Sequence, residues 1–296
     1  MGLRHIPVLV EEVMTLLRCV PQGKYVDGTL GGGGHASEML KRTAPDGIIV
    51  GIEWDEEAIA EARKTLAPYG DRVRIFRENF INLPDVIKAM QMEAVDGIFL
   101  DLGFSSLQVQ KAERGFSLKE EGPLDMRMDQ RIDRTAADLV NRLSLKELEK
   151  ILFEHGEERW ARRIARAIVQ ERERSPIETT QALRRVVLRA IPRRFHYRRI
   201  DPATKTFQAL RISVNQELEN LRMILETGWR SLKKGGRICI ISFHSLEDRL
   251  VKEAFRAQER QRLIHIVTKR PVTPSEEERE TNPRSRSAKL RCAERV

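Results

Sequence analysis

Tyr25-Val-Asp-Gly-Thr-Leu-Gly-Gly-Gly-Gly-His35 is the stretch whose reading decides the fold. A short β-type run, Lys24-Tyr25-Val26, leads to an acid, Asp27, and then to a glycine-dense turn from Gly28 to Gly34. Helical spacing begins at once, with Ala36, Met39 and Leu40 as its apolar positions. Strand, glycine turn and helix make the first unit of a Rossmann-like sheet. Glycine suits the turn because a side chain would hold a ligand off the backbone. Next, Ile48-Ile49-Val50-Gly51-Ile52 is a buried-strand run that ends at Glu53. A carboxylate at a second strand tip suits a ribose diol, so an adenosine-containing cofactor is expected. The glycines do not say which one, and a glycine-rich surface loop with a chance acid downstream is the plain alternative.

Outward from this unit the alternation continues. Asp55 to Leu66 reads as a helix, Val73-Arg74-Ile75-Phe76 as a third strand with Phe80 just beyond its tip, and Asp85 to Met92 as a helix. Val95 to Leu100 makes a fourth strand, ending at Asp101. Upstream, residues 5 to 20 form an amphipathic opening helix. Strands alternating with helices predict a doubly wound, mostly parallel α/β sheet with its ligand at the carboxyl ends of the strands. Asp27, Glu53, Phe80 and Asp101 all fall at such ends. The next convincing strand, Arg237 to Ser242, comes far too late for a normal crossover, so an extra domain is inserted. Its three-and-four apolar spacing is helical. A long helix from Phe207 to Leu232 returns to the sheet, and Lys233-Lys-Gly-Gly236 closes it. Leu263 to Thr268 and Ala288 to Cys292 read as a closing antiparallel pair, with Lys269 to Ser287 as a mobile loop between them. The expected division is a discontinuous cofactor-binding domain, 1–110 and 206–296, around an inserted helical substrate-recognition domain, 111–205.

A chain of 296 residues can bury a full core, and its formal charge of +9 with a pI near 9.7 favours a polyanionic partner. Three cysteines without metal-ligand spacing read as reduced thiols. No apolar stretch reaches transmembrane length, and the apolar run in Met1 to Val10 is too short for a signal peptide, so a cytoplasmic protein is expected. Basic residues gather at Arg184, Arg185, Arg189, Arg193, Arg194, Arg198, Arg199 and Lys205, with Phe195, His196 and Tyr197 among them. Guanidinium groups pair with phosphates and rings stack on unpaired bases, so Arg193, Arg194, Arg198 and Arg199 are candidate RNA contacts. Arg159, Arg162, Arg163 and Arg166 read instead as ordinary helix surface paired to nearby Glu.

The basic-Gly-Gly turn before an apolar fifth strand favours S-adenosylmethionine over a nicotinamide. At the fourth strand tip, Asp101-Leu-Gly-Phe-Ser-Ser106 offers an acid and an aromatic, Phe104. An exocyclic amine on a base is a poor nucleophile because its lone pair is conjugated into the ring. A carboxylate accepting its N–H bond can pyramidalise it and stabilise the developing cation, which makes Asp101 the candidate catalytic acid–base group and Phe104 a stacking surface.

Asp27 to His35, Asp101 to Ser106, Glu113-Arg-Gly-Phe-Ser117, Gly122-Pro-Leu-Asp-Met-Arg-Met128, Arg163 to Ile168, Thr206-Phe-Gln-Ala-Leu-Arg-Ile212 and Ile241-Ser-Phe-His-Ser-Leu-Glu-Asp248 together resemble the MraW family. Asn282 to Ser287 and Leu290 to Arg295 extend the resemblance to nearly the whole chain. Its members are bacterial enzymes that methylate N4 of a cytidine in small-subunit (16S) ribosomal RNA with S-adenosylmethionine. The resemblance implies cofactor contacts at Gly33, Gly34, His35, Glu53, Phe80, Asp101 and Gln108, and a ribosomal RNA partner, free or within the assembling 30S subunit. The family favours Asp at the ribose position, so Glu53 is a departure and Asp55 its rival.

Overall fold

Runs of β-branched and apolar residues become seven strands in the computed structural model, which describes residues 6–196 and 201–296. They are β1 (Lys24–Asp27), β2 (Ile48–Glu53), β3 (Val73–Arg77), β4 (Val95–Asp101), β5 (Leu232–Ser242), β6 (Ile264–Ile266) and β7 (Lys289–Arg295). They form one sheet in the order β3-β2-β1-β4-β5-β7-β6. β1 to β5 pair in parallel, and β7 runs antiparallel to both β5 and β6. Side chains alternate between two apolar layers. Tyr25, Ile49, Phe99 and Cys239 meet helices Val10–Leu17, Gly34–Arg42 and Glu56–Leu66 on one face. Val26, Val50, Ile98 and Ile238 meet Leu83–Ala89, Glu217–Thr227 and Ser245–Arg260 on the other. Burial on both faces explains why these strands read as continuous apolar runs. The sheet is doubly wound and mostly parallel.

The chain divides into two units, Met1–Gly103 with Leu218–Val296, and Phe104–Glu217. The second unit thus extends beyond the expected 111–205 at both ends. It holds helices Ala136–Arg142, Leu145–Glu154, Ala161–Arg172, Thr180–Ala190 and Thr204–Asn215 around its own core of Leu139, Leu148, Ile164, Ile168, Val187 and Leu210. The Thr204–Asn215 helix lies in the second unit because Phe207, Leu210 and Val214 pack into that core.

The expected long helix from Phe207 to Leu232 is broken. Gln216 is left-handed (φ 51°), which ends one helix before Glu217–Thr227 begins. Asn215 fixes the break: its amide donates to the carbonyls of Met126 and Arg211 at 2.8 and 2.9 Å, and its Oδ1 accepts from the Met128 amide at 2.7 Å. The stretch Lys269 to Ser287 also differs from the mobile loop expected. It carries a helix, Glu276–Thr281, whose Glu278 accepts the Leu9 amide at 2.8 Å while Asn282 donates to the Ile6 carbonyl at 3.0 Å. Finally, Lys233 to Gly236 lies within β5, with Gly235 at φ +75° and Lys233 paired to Asp96 at 2.7 Å.

Asn215→Ala is expected to lower stability by about 2–4 kcal/mol, because two buried backbone groups lose their partners. Gln216→Gly should cost nothing or add about 0.5 kcal/mol, since glycine adopts positive φ freely. Denaturant titration of both variants checks this, and equal losses would show that the break is not held by Asn215.

Candidate active site

The turn from Gly28 to Gly34 is stitched across three strand ends. The Gly28 amide donates to the Phe99 carbonyl (2.9 Å), the Leu30 amide to the Ile52 carbonyl (3.0 Å) and the Gly31 amide to Glu53 Oε2 (2.9 Å). The Asp101 amide donates in turn to Thr29 Oγ1 at 2.6 Å. Gly33 caps the next helix at φ +83°, a left-handed position where glycine is required. At Gly34 a Cβ would strike Pro7 at 2.6 Å, whereas at Gly31 and Gly32 its nearest neighbours would lie at 3.9 and 3.7 Å, ordinary contact distances. Gly33 and Gly34 are therefore dictated by the fold, and the clearance for a ligand lies at Gly31 and Gly32. The helix amino terminus at Gly34 adds a partial positive charge suited to a carboxylate.

Three acids from the ends of β1, β2 and β4 share this edge. Burial pushes Asp27 up to about 7, against the amide of Thr29, which favours its carboxylate. Burial likewise raises Glu53 to about 7, although its Oε1 accepts the Trp54 and Asp55 amides at 2.9 and 3.0 Å. Asp101 is raised well above the ordinary carboxylate range by burial first, then by Asp27 and Glu247. Its Oδ1 has no hydrogen-bond partner among the described residues. His35 is buried, its Nε2 donating to the Val8 carbonyl at 2.8 Å and its ring tilted on Phe99. Its Nδ1 lies 3.7 Å from Asp101 Oδ2, too long for a hydrogen bond. Phe80 sits against the turn, so close that a Cβ on Gly28 would come within 3.4 Å of its own.

The rival for the ribose, Asp55, is a helix cap. It is 4% exposed, and its Oδ1 accepts the Glu57 amide at 3.0 Å. Gln108 lies in the second unit, buried, closing a capping box with Ser105 through its Oε1. Phe104 also belongs to that unit and is 43% exposed. The Lys233 to Gly236 stretch, which favoured S-adenosylmethionine in the sequence, stands at the amino end of β5, away from the strand tips that carry the acids.

The basic run is thinner than it reads. Arg184 pairs with Asp201 and Arg189 with Glu171, each at 2.8 Å, and Lys205 donates to the Glu157 carbonyl. His196 is bonded to the Ile191 carbonyl at 2.9 Å. Arg193 and Arg194 remain exposed, and Arg198 and Arg199 lie outside the described residues. No carboxylate pairs with Arg159, Arg162, Arg163 or Arg166 among the described residues, contrary to the expectation for ordinary helix surface. The sequence signal was Trp160 in the midst of those four arginines.

Buried acids with no Lys or Arg partner among the described residues repel an anion and attract a cation. A dinucleotide would bring its pyrophosphate to this turn. S-adenosylmethionine brings a sulfonium and an ammonium, with a single carboxylate for the helix terminus. The orphaned Asp101 oxygen and the open Gly31-Gly32 approach fit it. Fold and site together define an S-adenosylmethionine-dependent methyltransferase. The model of the MraW methylase family matches residues 2–296, and the chain belongs to that family. The ribosomal RNA small subunit methyltransferase H of Desulfotalea psychrophila is 51% identical, covering 99% of this chain and 98% of the relative. That of Geotalea uraniireducens is 50% identical with the same coverage, 99% and 98%. Among solved structures, TrmN from Thermus thermophilus aligns with 97% of this chain and 48% of its own at a TM-score of 0.48 and 12% identity, a distance at which the likeness carries no assignment.

Two outcomes follow from the acids. Because Asp27 and Glu53 hold protons in the folded state that the unfolded chain has lost, their contribution to stability is full below about pH 4 and is lost as pH rises through about 7. Asp27→Asn should therefore raise the melting temperature of the ligand-free protein at about pH 8 far more than at about pH 4. Cofactor affinity in the parent should climb as pH rises through about 7; an affinity flat across that range would contradict the electrostatic fit. Separately, Glu53→Ala should weaken S-adenosylmethionine binding by about 1.5–3 kcal/mol. Asp55→Ala should instead cost about 1 kcal/mol of stability, with the affinity kept. Calorimetric titration that reversed the two would give the ribose to Asp55.

Proposed function

We propose that this protein transfers a methyl group from S-adenosylmethionine to N4 of a cytidine in bacterial small-subunit (16S) ribosomal RNA, in the cytoplasm, on free RNA or within the assembling 30S subunit. Relatives of half-identical sequence over nearly the whole chain bear the name ribosomal RNA small subunit methyltransferase H. Among the described residues no helix is long and apolar enough to cross a membrane. The single observation that carries the chemistry is Asp101, whose carboxyl oxygen is buried without a partner at the tip of β4.

When bound, S-adenosylmethionine supplies an electrophilic methyl group on its sulfonium. The protein has to make an amine attack it whose lone pair is conjugated into cytosine. Asp101 ionises once a positive charge stands beside it, and its free oxygen then accepts an N–H of the amine. This bond draws the nitrogen toward a tetrahedral shape and stabilises the charge that develops. Asp101, with the His35 ring behind it, can then take the departing proton. Glu53 holds the ribose through the lone pairs its three amide bonds leave over. Phe104 offers a ring for a base: it stacks on Phe116 at 5.8 Å, and the Arg211 guanidinium lies 4.6 Å from its centroid. Arg211 is fixed by Glu217 through two bonds of 2.8 Å.

The first test is transfer from labelled cofactor to small-subunit RNA, with N4-methylcytidine sought by mass spectrometry of the digested product. No transfer to free RNA or to 30S particles would leave a binding or assembly protein. The second is Asp101→Asn in single turnover at saturating cofactor and RNA. The rate should fall by about 10²-fold, as for loss of a positioned acid–base group, while cofactor affinity falls modestly. A rate equal to the parent's would reduce Asp101 to a binding group.

A further inference from the structure

The second unit carries a cluster that the transfer chemistry does not use. Trp160 and Phe195 come from different elements, the start of the Ala161–Arg172 helix and the turn Arg193–Phe195. Their rings meet at 5.4 Å and 50°. The Arg159 guanidinium lies over both, 4.0 Å from the Phe195 centroid and 4.9 Å from that of Trp160. Arg163 lies 5.6 Å from the Trp160 ring and Arg194 5.1 Å from the Phe195 ring. All three arginines are exposed, and none has an acidic partner among the described residues. The platform beneath them is fixed. Glu158, buried, accepts the Trp160 amide at 2.8 Å, and both rings pack on the core of the unit.

Three like charges around two rings repel one another, and cation–π attraction offsets only part of that. Elsewhere in this unit arginines find carboxylates, as Arg184, Arg189 and Arg211 do. We propose that the Trp160–Phe195–Arg159 stack is a docking surface for single-stranded RNA, on which an unpaired base lies against the outer face of the Arg159 guanidinium while Arg163 and Arg194 neutralise the flanking phosphates. The inference rests on the RNA substrate proposed above and adds where and how an unpaired segment is held. An acidic peptide would meet the charge but leave the flat guanidinium and ring faces unused. A duplex keeps its bases paired and has no face to offer them.

Arg159→Lys tests this, because it keeps the charge and removes the planar face. The probe is a short labelled single-stranded oligoribonucleotide, the same strand annealed into a duplex, and an abasic strand of equal length, all read by fluorescence anisotropy over a salt series. Single-strand affinity should fall about tenfold, the size of a lost base stack, with the salt slope unchanged. Duplex and abasic affinities should hold within about twofold. Arg163→Gln should instead reduce the salt slope by about one. Unchanged single-strand binding by Arg159→Lys overturns the proposal and leaves the face to an acidic protein. An equal loss on duplex or abasic RNA also overturns it, reducing Arg159 to a phosphate contact. Unaltered circular dichroism and denaturant unfolding of both variants certify their fold. Methyl transfer by the parent protein separates the two readings. If the parent transfers nothing, the methyltransferase reading falls while a base-dependent Arg159→Lys effect still stands; if it transfers and Arg159→Lys binds normally, only the stack falls.

Discussion

Withdrawing Asp27 fully, and Glu53 and Asp101 in large part, from water along one edge of the sheet, with no lysine or arginine to pair with them among the described residues, is the constraint on which the first unit depends. Carboxylates in that setting are tolerated only if backbone amides reach them or if they keep a proton. The glycine turn supplies the amides. It crosses from β1 to the tips of β2 and β4, giving the Thr29 amide to Asp27 and the Gly31 amide to Glu53. A chain with side chains at Gly33 or Gly34 could not make that crossing, because Leu66 and Pro7 already occupy the space. Asp101 receives no such help at Oδ1. It is the acid left most dependent on a cation arriving.

Two of the motifs that carry the family resemblance serve the architecture of the second unit. At Gly122 an added Cβ would sit 1.8 Å from the Ala112 carbonyl oxygen, and at Gly115 it would sit 2.3 Å from that of Pro123. The two segments lie backbone to backbone. Arg114, buried between them, donates to the carbonyls of Arg127 and Met128 at 3.0 and 3.1 Å. Asn215 reaches the same stretch from the far end of the unit. Glu113 to Ser117 and Gly122 to Met128 thus form a clamp of carbonyls, amides and two side chains. The close-packed backbone at Gly115 and Gly122 leaves no room for a side chain.

The sheet was legible because strands buried on both faces leave an apolar run that needs no partner to be recognised, and the acids at their tips follow from the same register. What was not legible depended on distant contacts. Gln216 breaks a helix whose apolar spacing runs on unbroken, because Asn215 is pulled toward Met126 and Met128. Glu278 and Asn282 hold the amino-terminal segment, so a charged, proline-bearing stretch is helical instead of loose. The arginines show the same limit twice over. Arg189 looked free and is paired, Arg159 looked paired and is stacked, and neither partner is near in sequence order: Glu171 lies a helix away, and Phe195 two helices away. In the sequence Asp55 reads only as the first residue of a helix and as a rival for the ribose, and its N-cap bond to the Glu57 amide appears only in the structure.

The insertion point itself has a physical logic. β4 and β5 lie side by side, with Phe99 opposite Cys239 and Asp101 opposite Ile241, although the whole second unit intervenes in sequence. Closing so long a connection as a floppy loop would cost little more than closing a short one, since the cost grows only with the logarithm of length. Here even that cost is reduced, because the intervening residues fold around a core of their own. The pairing of β4 with β5 is then secured by the sheet alone: the Leu102 amide bonds to the Ile241 carbonyl at 3.0 Å just before the chain departs. Asp101 is held within the first unit, its amide tied to Thr29. The sheet and the inserted helices thus each stand on a core of their own.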